Sequence, residues 1–476
     1  MAEGKYSHIQ LAIDFSDLIR TTLGPRGMNK MVLDDDTKKL VITNDGATIV
    51  GRMKGGNPII ELFRKLAKSQ ELAVGDGTTS AVIIAGQLLN NALSLLNKGV
   101  HPTMIISGYE LARQEANKFL ESQAEEGNKL QIIKTSFGTK LPNEIIQHLT
   151  ELIMNVKNPQ ELKIYPLENY DPMESEIFKG YVFGGFTIND RMKSNVEGKV
   201  AVLDFPVNWK MDNFSVTKAE EMEKVQDLDN KFKKKIVDKL KELNVQWVFY
   251  TDTTPEFEAY LTEVGISGVV CHKREDLDSI CKSVNAIACA NYDQIKESHL
   301  GEGRIRYEKQ LIGNHGHIFV DGNVETLILK APTSQILDEM MRASDDVIRL
   351  LRHDLRQVTG AGAIEIEVAN HLREFSKGVG GKIQIAIEKF AESIETIPVV
   401  LAENCGLDAI ETLATLKAVH ANGKKDEGID LVQGISNAKE RGVVEPVLIK
   451  TYAINSASHV TNQILKIDNV LAGDVK

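Results

Sequence analysis

The chain has 476 residues, 42% hydrophobic and 26% charged, a balance that supports buried cores and excludes a long disordered chain. Its formal net charge of −11 counts against a nucleic-acid surface as its main business. An acidic chain can still take a nucleotide, because a bound divalent cation reverses the local charge.

In chain order, residues 6–22 repeat Ile9, Ile13, Leu18 and Ile19 at helical spacing, and Leu23-Gly24-Pro25-Arg26-Gly27 ends that helix. Short strands are expected at 30–33 and 40–43, ahead of the turn Asn44-Asp45-Gly46, with helices over 47–53 and 57–73. After Gly75-Asp76-Gly77 the spacing predicts a long helix from Thr78 to Lys98, capped by Thr78 or Thr79 and closed by Gly99. Its apolar residues, among them Val82, Ile83, Ile84, Leu88, Leu89, Leu95 and Leu96, cover most of its faces, which marks a buried helix. Another helix is expected at 103–123. From about residue 182 the texture changes, and strand-like runs at 200–205, 245–252, 316–321 and 324–330 alternate with helical stretches. The charged stretch 219–243 reads first as a solvated helix and second as a partner surface. Beyond 333 the pattern is helical again, over 336–352, 362–374, 380–395, 406–421 and 446–476. Helical, then α/β, then helical predicts an inserted domain, with the two flanks folding together.

The four cysteines, Cys271, Cys281, Cys289 and Cys405, form no C-x-x-C pair and no zinc spacing, so they read as reduced, mostly buried thiols. Residues 1–10 carry no apolar signal-type stretch, and even 80–96 is broken by Gln87, Asn90 and Asn91. The expectation is a cytoplasmic protein with neither membrane nor nucleic acid as partner.

Three polar glycine turns lead toward helices: Leu23-Gly24-Pro25, Asn44-Asp45-Gly46 and Gly75-Asp76-Gly77-Thr78-Thr79. Glycine lets backbone N–H groups approach a phosphate, and a helix start adds partial positive charge. The usual phosphate loop places a Lys before its Ser/Thr; here an aspartate stands between glycines instead. A carboxylate would repel phosphate unless a divalent cation lay between them, so Asp76 reads as a Mg²⁺ ligand. Each turn alone is ordinary turn chemistry; together they favour a metal-bridged nucleotide. Other signatures are missing: G-x-S-x-G, H-E-x-x-H and G-x-G-x-x-G do not occur. His315-x-His317 has no third ligand nearby and reads as strand packing rather than metal.

The blocks TLGPRGMNKMV (22–32), VITNDGATIV (41–50) and VGDGTTSAVIIAGQLL (74–89) resemble the signature blocks of the group II chaperonins. GAGAIEIEVA (360–369), IPVVLAENCGLD (397–408) and ILKIDNVL (464–471) continue the resemblance in order, so it runs essentially end to end. Within the family, LIRTTLGPRGMNKM, AKSQELAVGDGTTSAVIIAG, KGVHPT and GISNAKERGVVEPVLI are most similar to the delta branch of the eukaryotic cytosolic chaperonin (TRiC/CCT).

The resemblance implies an α+β multidomain fold: a helical equatorial ATP-binding domain from both chain ends (1–128 and 359–476), a small intermediate domain (129–183 and 333–358), and an inserted α/β apical domain with a helical protrusion (184–332). It implies a chaperone in which ATP and Mg²⁺ drive closure of a lid over a double-ring chamber, with paralogous ring subunits and unfolded client proteins as partners. Leu23, Gly24, Pro25 and the turn Gly75, Asp76, Gly77, Thr78, Thr79 would contact phosphates, with Asp76 on the metal. Asp45 and Asp346 would be catalytic, Asp45 positioning the attacking water and Asp346 arriving as the intermediate domain closes; Lys140 would sense the γ-phosphate. Gly360, Ala361, Gly362 and Glu445 would line the ribose and base side. Without the resemblance Asp346 reads as part of a helix cap and Lys140 as a surface lysine.

The chain departs from the family pattern where a triple glycine reads Gly360-Ala361-Gly362; if the centre needs positive φ, Ala361 costs on the order of 1 kcal/mol there. The stretch between Asp346 and Gly360 is also short, and 122–150 and the tails are trimmed. Two other functions compete: a weakly hydrolysing ring subunit serving assembly and client contact, which Ala361 favours, and a free-standing small-molecule kinase, against which the missing loop lysine counts.

Overall fold

Local chemistry sets the first elements of the computed structural model, which describes residues 6–33, 40–53, 57–138, 140–186, 191–208, 219–252, 254–309, 316–353 and 355–468. Helix α1 (Ser7–Arg20) buries Ile9, Ile13 and Ile19 and gives way to a turn in which Gly24 has φ 81°. Strands β1 (Lys30–Leu33) and β2 (Leu40–Thr43) pair antiparallel, Met31 opposite Ile42 and Leu33 opposite Leu40, and both ranges match the sequence expectation. Asp45 then caps α2 (Gly46–Arg52), its carboxylate accepting from Thr48 N at 2.7 Å. Asn57 and Pro58 start α3 (Pro58–Val74), which stops at Gly75 because that residue turns left-handed, φ 86°.

Helix α4 (Thr78–Asn97) follows and forms the axis of the core. By length and composition it could cross a membrane, yet it lies buried inside the protein. Gly86 lets α1 cross it closely, since a Cβ there would meet Ser16 Oγ at 1.7 Å. Asn91, one of the polar breaks in its sequence, is buried but satisfied, donating to Lys389 O and Ser393 Oγ at 2.9 Å each. Leu88 and Leu89 are fully buried, so truncating either to Ala costs about 2–5 kcal/mol. Neither threonine caps α4: its N-cap is Gly77, without a side-chain bond, so both hydroxyls are spared from capping. Helices α5 (Pro102–Gln123), α6 (Lys129–Phe137) and α7 (Asn143–Met154) complete this first segment.

The chain divides into two compact units, residues 155–337 and the combined flanks 1–154 and 338–476, so the inserted-domain expectation holds at this level. The inserted unit contains β3 (Lys163–Glu168), β4 (Glu176–Phe186), β5 (Asn195–Leu203), α8 (Ala219–Glu242), β6 (Val245–Tyr250), α9 (Pro255–Val264), β7 (Ser267–Val270), α10 (Arg274–Val284), β8 (Gly301–Lys309) and β9 (Gly316–Ala331). Its sheet runs β3-β9-β8-β5-β6-β7, with β4 also on β9, over a core built on Trp247, Phe249, Tyr250 and Phe257. The two strands expected at 316–321 and 324–330 are one, because the register against β4 shifts between Lys179 and Gly180 and absorbs the Gly322-Asn323 break as an irregularity. Helix α8 matches the expected helix, but Lys233 on it is 2% exposed and pairs with Asp229 at 2.6 Å. The side chain of His317 hydrogen-bonds Tyr165, as strand packing requires, while His315 lies outside the described residues. All four thiols are unpaired, three of them buried.

Helix α11 (Ser334–Leu350) returns the chain to the flanking unit, followed by β10 (Gln357–Thr359), α12 (Ala363–Lys377), α13 (Gly381–Ile394), α14 (Thr396–Asn404), α15 (Ala409–Ala421), β11 (Glu427–Asp430), β12 (Gly434–Asn437), β13 (Val444–Pro446) and α16 (Val447–Leu465). The helix expected at 406–421 begins later, at Ala409, and α14 precedes it unforeseen. Pro398 sits in the first turn of α14, where no intrahelical N–H is needed, so its usual helix-breaking signal misleads. Residues 469–476, the end of the last expected helix, lie outside the described residues.

Candidate nucleotide site

The turn between α3 and α4 holds Asp76 between two left-handed glycines, Gly75 at φ 86° and Gly77 at φ 80°. Side chains would strain both positions, and each glycine also touches a neighbour. A Cβ on Gly75 would lie 3.0 Å from Arg349 Cβ, and one on Gly77 2.6 Å from Ile449 Cγ2. Gln70 Nε2 donates to Asp76 O at 2.9 Å, and Gly77 N to Asp76 Oδ1 at 2.7 Å, which fixes the carboxylate. Its other oxygen accepts from Ser136 Oγ at 3.4 Å.

Gly46 meets the same turn, since a Cβ there would stand 2.6 Å from Thr79 Oγ1. This brings Asp45 to the start of α4. From the other side α11 presents Asp346, whose Oδ2 accepts from Lys140 Nζ at 3.0 Å; the two side chains are 17% and 22% exposed. Burial pushes Asp346 up to about 7, with Asp76 and Asp45 adding to the rise and Lys140 opposing it. Burial alone would lower Lys140, but Asp346, Asp76 and Asp45 outweigh it and hold the ammonium above its usual range. Glu71, beside the site on α3, is raised by burial and then by Asp45, against Arg349. The structure therefore gathers Asp45, Asp76, Asp346 and Lys140 about one turn.

A second group lies around the other glycine turn. Gly360 abuts Glu445, with a Cβ position 2.8 Å from Glu445 Oε1, and Gly362 (φ 83°) abuts Pro398 of α14. Gly24 rests on the same helix, against Leu401, while Leu23 O accepts from Asn404 Nδ2 at 2.8 Å; Pro25, between them and Arg26, is exposed. Helix α14 thus aligns the Leu23–Pro25 and Gly360–Gly362 turns, and α16 carries Ile449 under Gly77 directly after β13, which holds Glu445. Lys450 donates to Glu445 Oε2 and to Glu365 Oε1, each at 2.7 Å.

Among the described residues no three carboxylate, histidine or thiol side chains form a metal cage by themselves. That suits Mg²⁺, which takes one or two protein carboxylates and completes its shell with phosphate oxygens and water. Asp76, the free Thr78 and Thr79 hydroxyls and the glycine-lined cradle fit such an ion carried by a nucleotide.

Residues 15–474 match the family model described as the TCP-1/cpn60 chaperonin family. The chain belongs to that chaperonin family. It is 34% identical to a thermosome subunit of Methanopyrus kandleri, over 98% of this chain and 91% of the relative. A thermosome subunit of Pyrococcus horikoshii is 34% identical over 96% and 89% of the two chains, and thermosome subunit alpha of Thermoplasma acidophilum 33% over 98% and 91%. These relatives agree with a group II chaperonin, and the multidomain α+β chaperonin fold is the one described above. In this chaperonin Ala361 has φ 55°, so the condition attached to its cost is met: a residue with a side chain occupies a left-handed position.

Several residues of this chaperonin site were missed from the sequence: Gln70, Ser136, Arg349, Glu365 and Lys450. Two had a readable signal. Glu365 in AIEIEVA and Lys450 in VLIKTYAI are charges set in apolar helical runs, the mark of a buried ion pair.

Proposed function

We propose that this chaperonin chain hydrolyses Mg²⁺-ATP and couples the reaction to closing a chamber in which client proteins fold. The observation that carries this reading is the convergence of Asp45, Asp76, Asp346 and Lys140 on the Gly75–Thr79 turn at the start of α4. Asp76 would hold the metal, with Thr78 and Thr79 on phosphate oxygens and the amides of Gly75, Gly77 and the Leu23–Pro25 turn close by. Bound Mg²⁺ neutralises charge on the phosphates and polarises the bond to be broken.

The chain's own residues do the rest. Asp45 is held by its bond from Thr48 N, so its carboxylate is pre-aimed to orient water. Asp346, pushed up to about 7, suits a group that takes a proton from that water near neutral pH. Lys140, drawn onto a terminal phosphate, would release Asp346 for that role. Gly360, Ala361, Gly362 and Glu445 would receive the sugar and base.

Assembly into a double ring of chaperonin subunits, with unfolded proteins as clients, a cytoplasmic location and the equatorial, intermediate and apical division at 1–128/359–476, 129–183/333–358 and 184–332, belong to the same reading. The thermosome relatives and the apolar surface support it. Met31, Leu33, Leu40 and Ile42 are each more than half exposed on one face of the β1–β2 hairpin, as are Ile410 and Val432 elsewhere in this unit. Within group II, the four blocks named above favour a delta-like branch.

A second reading, a ring subunit that binds nucleotide weakly and serves assembly, is favoured by the left-handed Ala361 alone. The deciding experiment measures phosphate release from Mg²⁺-ATP by the purified full-length protein in its native particle. Turnover that EDTA abolishes is expected. A large particle that binds ATP without turnover would establish the second reading, and a monomer phosphorylating a small molecule would overturn both.

A further inference from the structure

Two buried charges, Lys450 and Glu365, lie behind half-buried Glu445 on the sugar side of the site, and the mechanism above uses only Glu445. Lys450 Nζ bridges Glu365 Oε1 of α12 and Glu445 Oε2 of β13, at 2.7 Å each. Lys450 is 9% exposed and Glu365 6%, whereas Glu445 is 24% exposed and lies against Gly360. The lysine therefore sits at the back, and the carboxylate it holds is the accessible end. A buried ion pair of this kind seldom adds stability over apolar residues of similar size. Holding a carboxylate in one orientation is a different use, and the geometry suits it. Two carboxylate oxygens accept hydrogen bonds and donate none while ionised, which matches the two hydroxyls of a ribose.

We propose, on the reading of Glu445 as the sugar contact, that Lys450 anchored by Glu365 is the positioning residue that makes the site select ribonucleotides. Lys450 holds one Glu445 oxygen and opposes the rise that burial imposes, favouring the carboxylate form that accepts from vicinal hydroxyls. The charged groups that face Glu445 are Lys450 from α16, Glu365 from α12 and, at longer range, Asp76 from the α3–α4 turn. Burial raises Glu445, Lys450 opposes that rise more strongly than Glu365 adds to it, and Asp76 contributes last. Removing Lys450 and Glu365 together thus leaves Glu445 protonated to a higher pH, as a neutral acid that also donates.

The test compares Mg²⁺-ATP with Mg²⁺-2′,3′-dideoxyATP by calorimetric titration of the native particle. A site built to bond hydroxyls rejects the analogue lacking them, and the unmodified protein is expected to prefer ATP by about tenfold or more. Glu365→Leu with Lys450→Met replaces both partners by apolar groups, so the particle is expected to assemble, as checked by size and circular dichroism. Its ATP preference should fall to about twofold or less at pH 7 and recover as pH rises and Glu445 ionises, a pH profile that a merely structural role would not produce. Glu445→Ala is the reference. If it leaves the preference intact, Glu445 is not the sugar contact and the inference falls with that assignment. If Glu445→Ala abolishes the preference while the double variant keeps it at pH 7, Glu445 acts unaided and the positioning role alone is overturned. Should the double variant not assemble, Glu365→Gln replaces it. The neutral amide weakens the anchor of Lys450, and a preference unchanged from the unmodified protein would overturn the proposal.

Discussion

Lys140 and Asp346 stand 206 positions apart in the chain and 3.0 Å apart in space, a bond between the stretch after α6 and the C-terminal half of α11. Lys140 closes the turn that follows Phe137 through Gly138, Asp346 lies within α11, and their pairing joins the acidic cluster around Asp76 and Asp45. Among the described residues the lysine is the one cation directly bonded to Asp346, so each of the two biases the charge state of the other.

Asp346→Asn is expected to lower ATP turnover by about 10²–10⁴, the range for losing a proton acceptor, while nucleotide binding persists. Phosphate release and equilibrium binding, measured on the same particle, check this. Turnover unchanged from the parent protein would remove Asp346 from the mechanism.

The same carboxyl sets a pH dependence of stability. Asp346 is raised in the folded protein from the ordinary 3.8 to about 7, so between those values the folded state holds a proton that the unfolded state has lost. Its contribution to stability is fully present below about 3.8 and is lost as pH rises through about 7. Urea titrations without nucleotide should show a stability slope over this window that is flatter in Asp346→Asn. An equal slope in both proteins would contradict the raised value. If Asp346 accepts the proton, turnover should fall on acidification below about pH 7 in the parent protein.

Ala361→Gly relieves a left-handed backbone at φ 55°. The relief is worth about 1 kcal/mol, partly offset by the greater freedom of glycine in the unfolded chain. A small gain in the urea midpoint and tighter ATP binding are expected. Weaker binding would show that the alanine methyl is itself a contact.

Gly46→Ala introduces a methyl 2.6 Å from Thr79 Oγ1 without demanding positive φ. It should displace the threonine hydroxyl and weaken Mg²⁺-ATP binding by about tenfold, roughly one charge-assisted hydrogen bond, with the fold retained. Calorimetric titration checks it; unchanged affinity would separate the α2–α4 contact from the phosphate site.

Much of this was legible in the residues themselves. The helix apolar on most of its faces, the paired short strands at 30–33 and 40–43, and the glycine turns follow from local spacing and backbone freedom, which adjacent residues decide among themselves. The aspartate without a lysine pointed to a metal on the same local grounds. Less was legible where long-range pairing ruled: β9 runs through its own turn signal because β4 pairs along it, and α14 forms across a proline because the first helical turn needs no donor. Asp346 and Lys140 were reached only through family resemblance, since nothing in RASDDVIRLL or TSFGTK distinguishes them from cap and surface residues.

Chain order alone therefore determined most of the long helices, which turns can approach an anion, and that an α/β unit is inserted into a helical one. Only the tertiary structure decided which charges meet. Propensity and turn geometry act over a few residues, but the raised pKa of Asp346 arises from groups buried together after Lys140, 206 positions away, has packed against it, and the grip of Lys450 on nearby Glu445 is anchored by Glu365 from α12, where low dielectric makes each neighbour count.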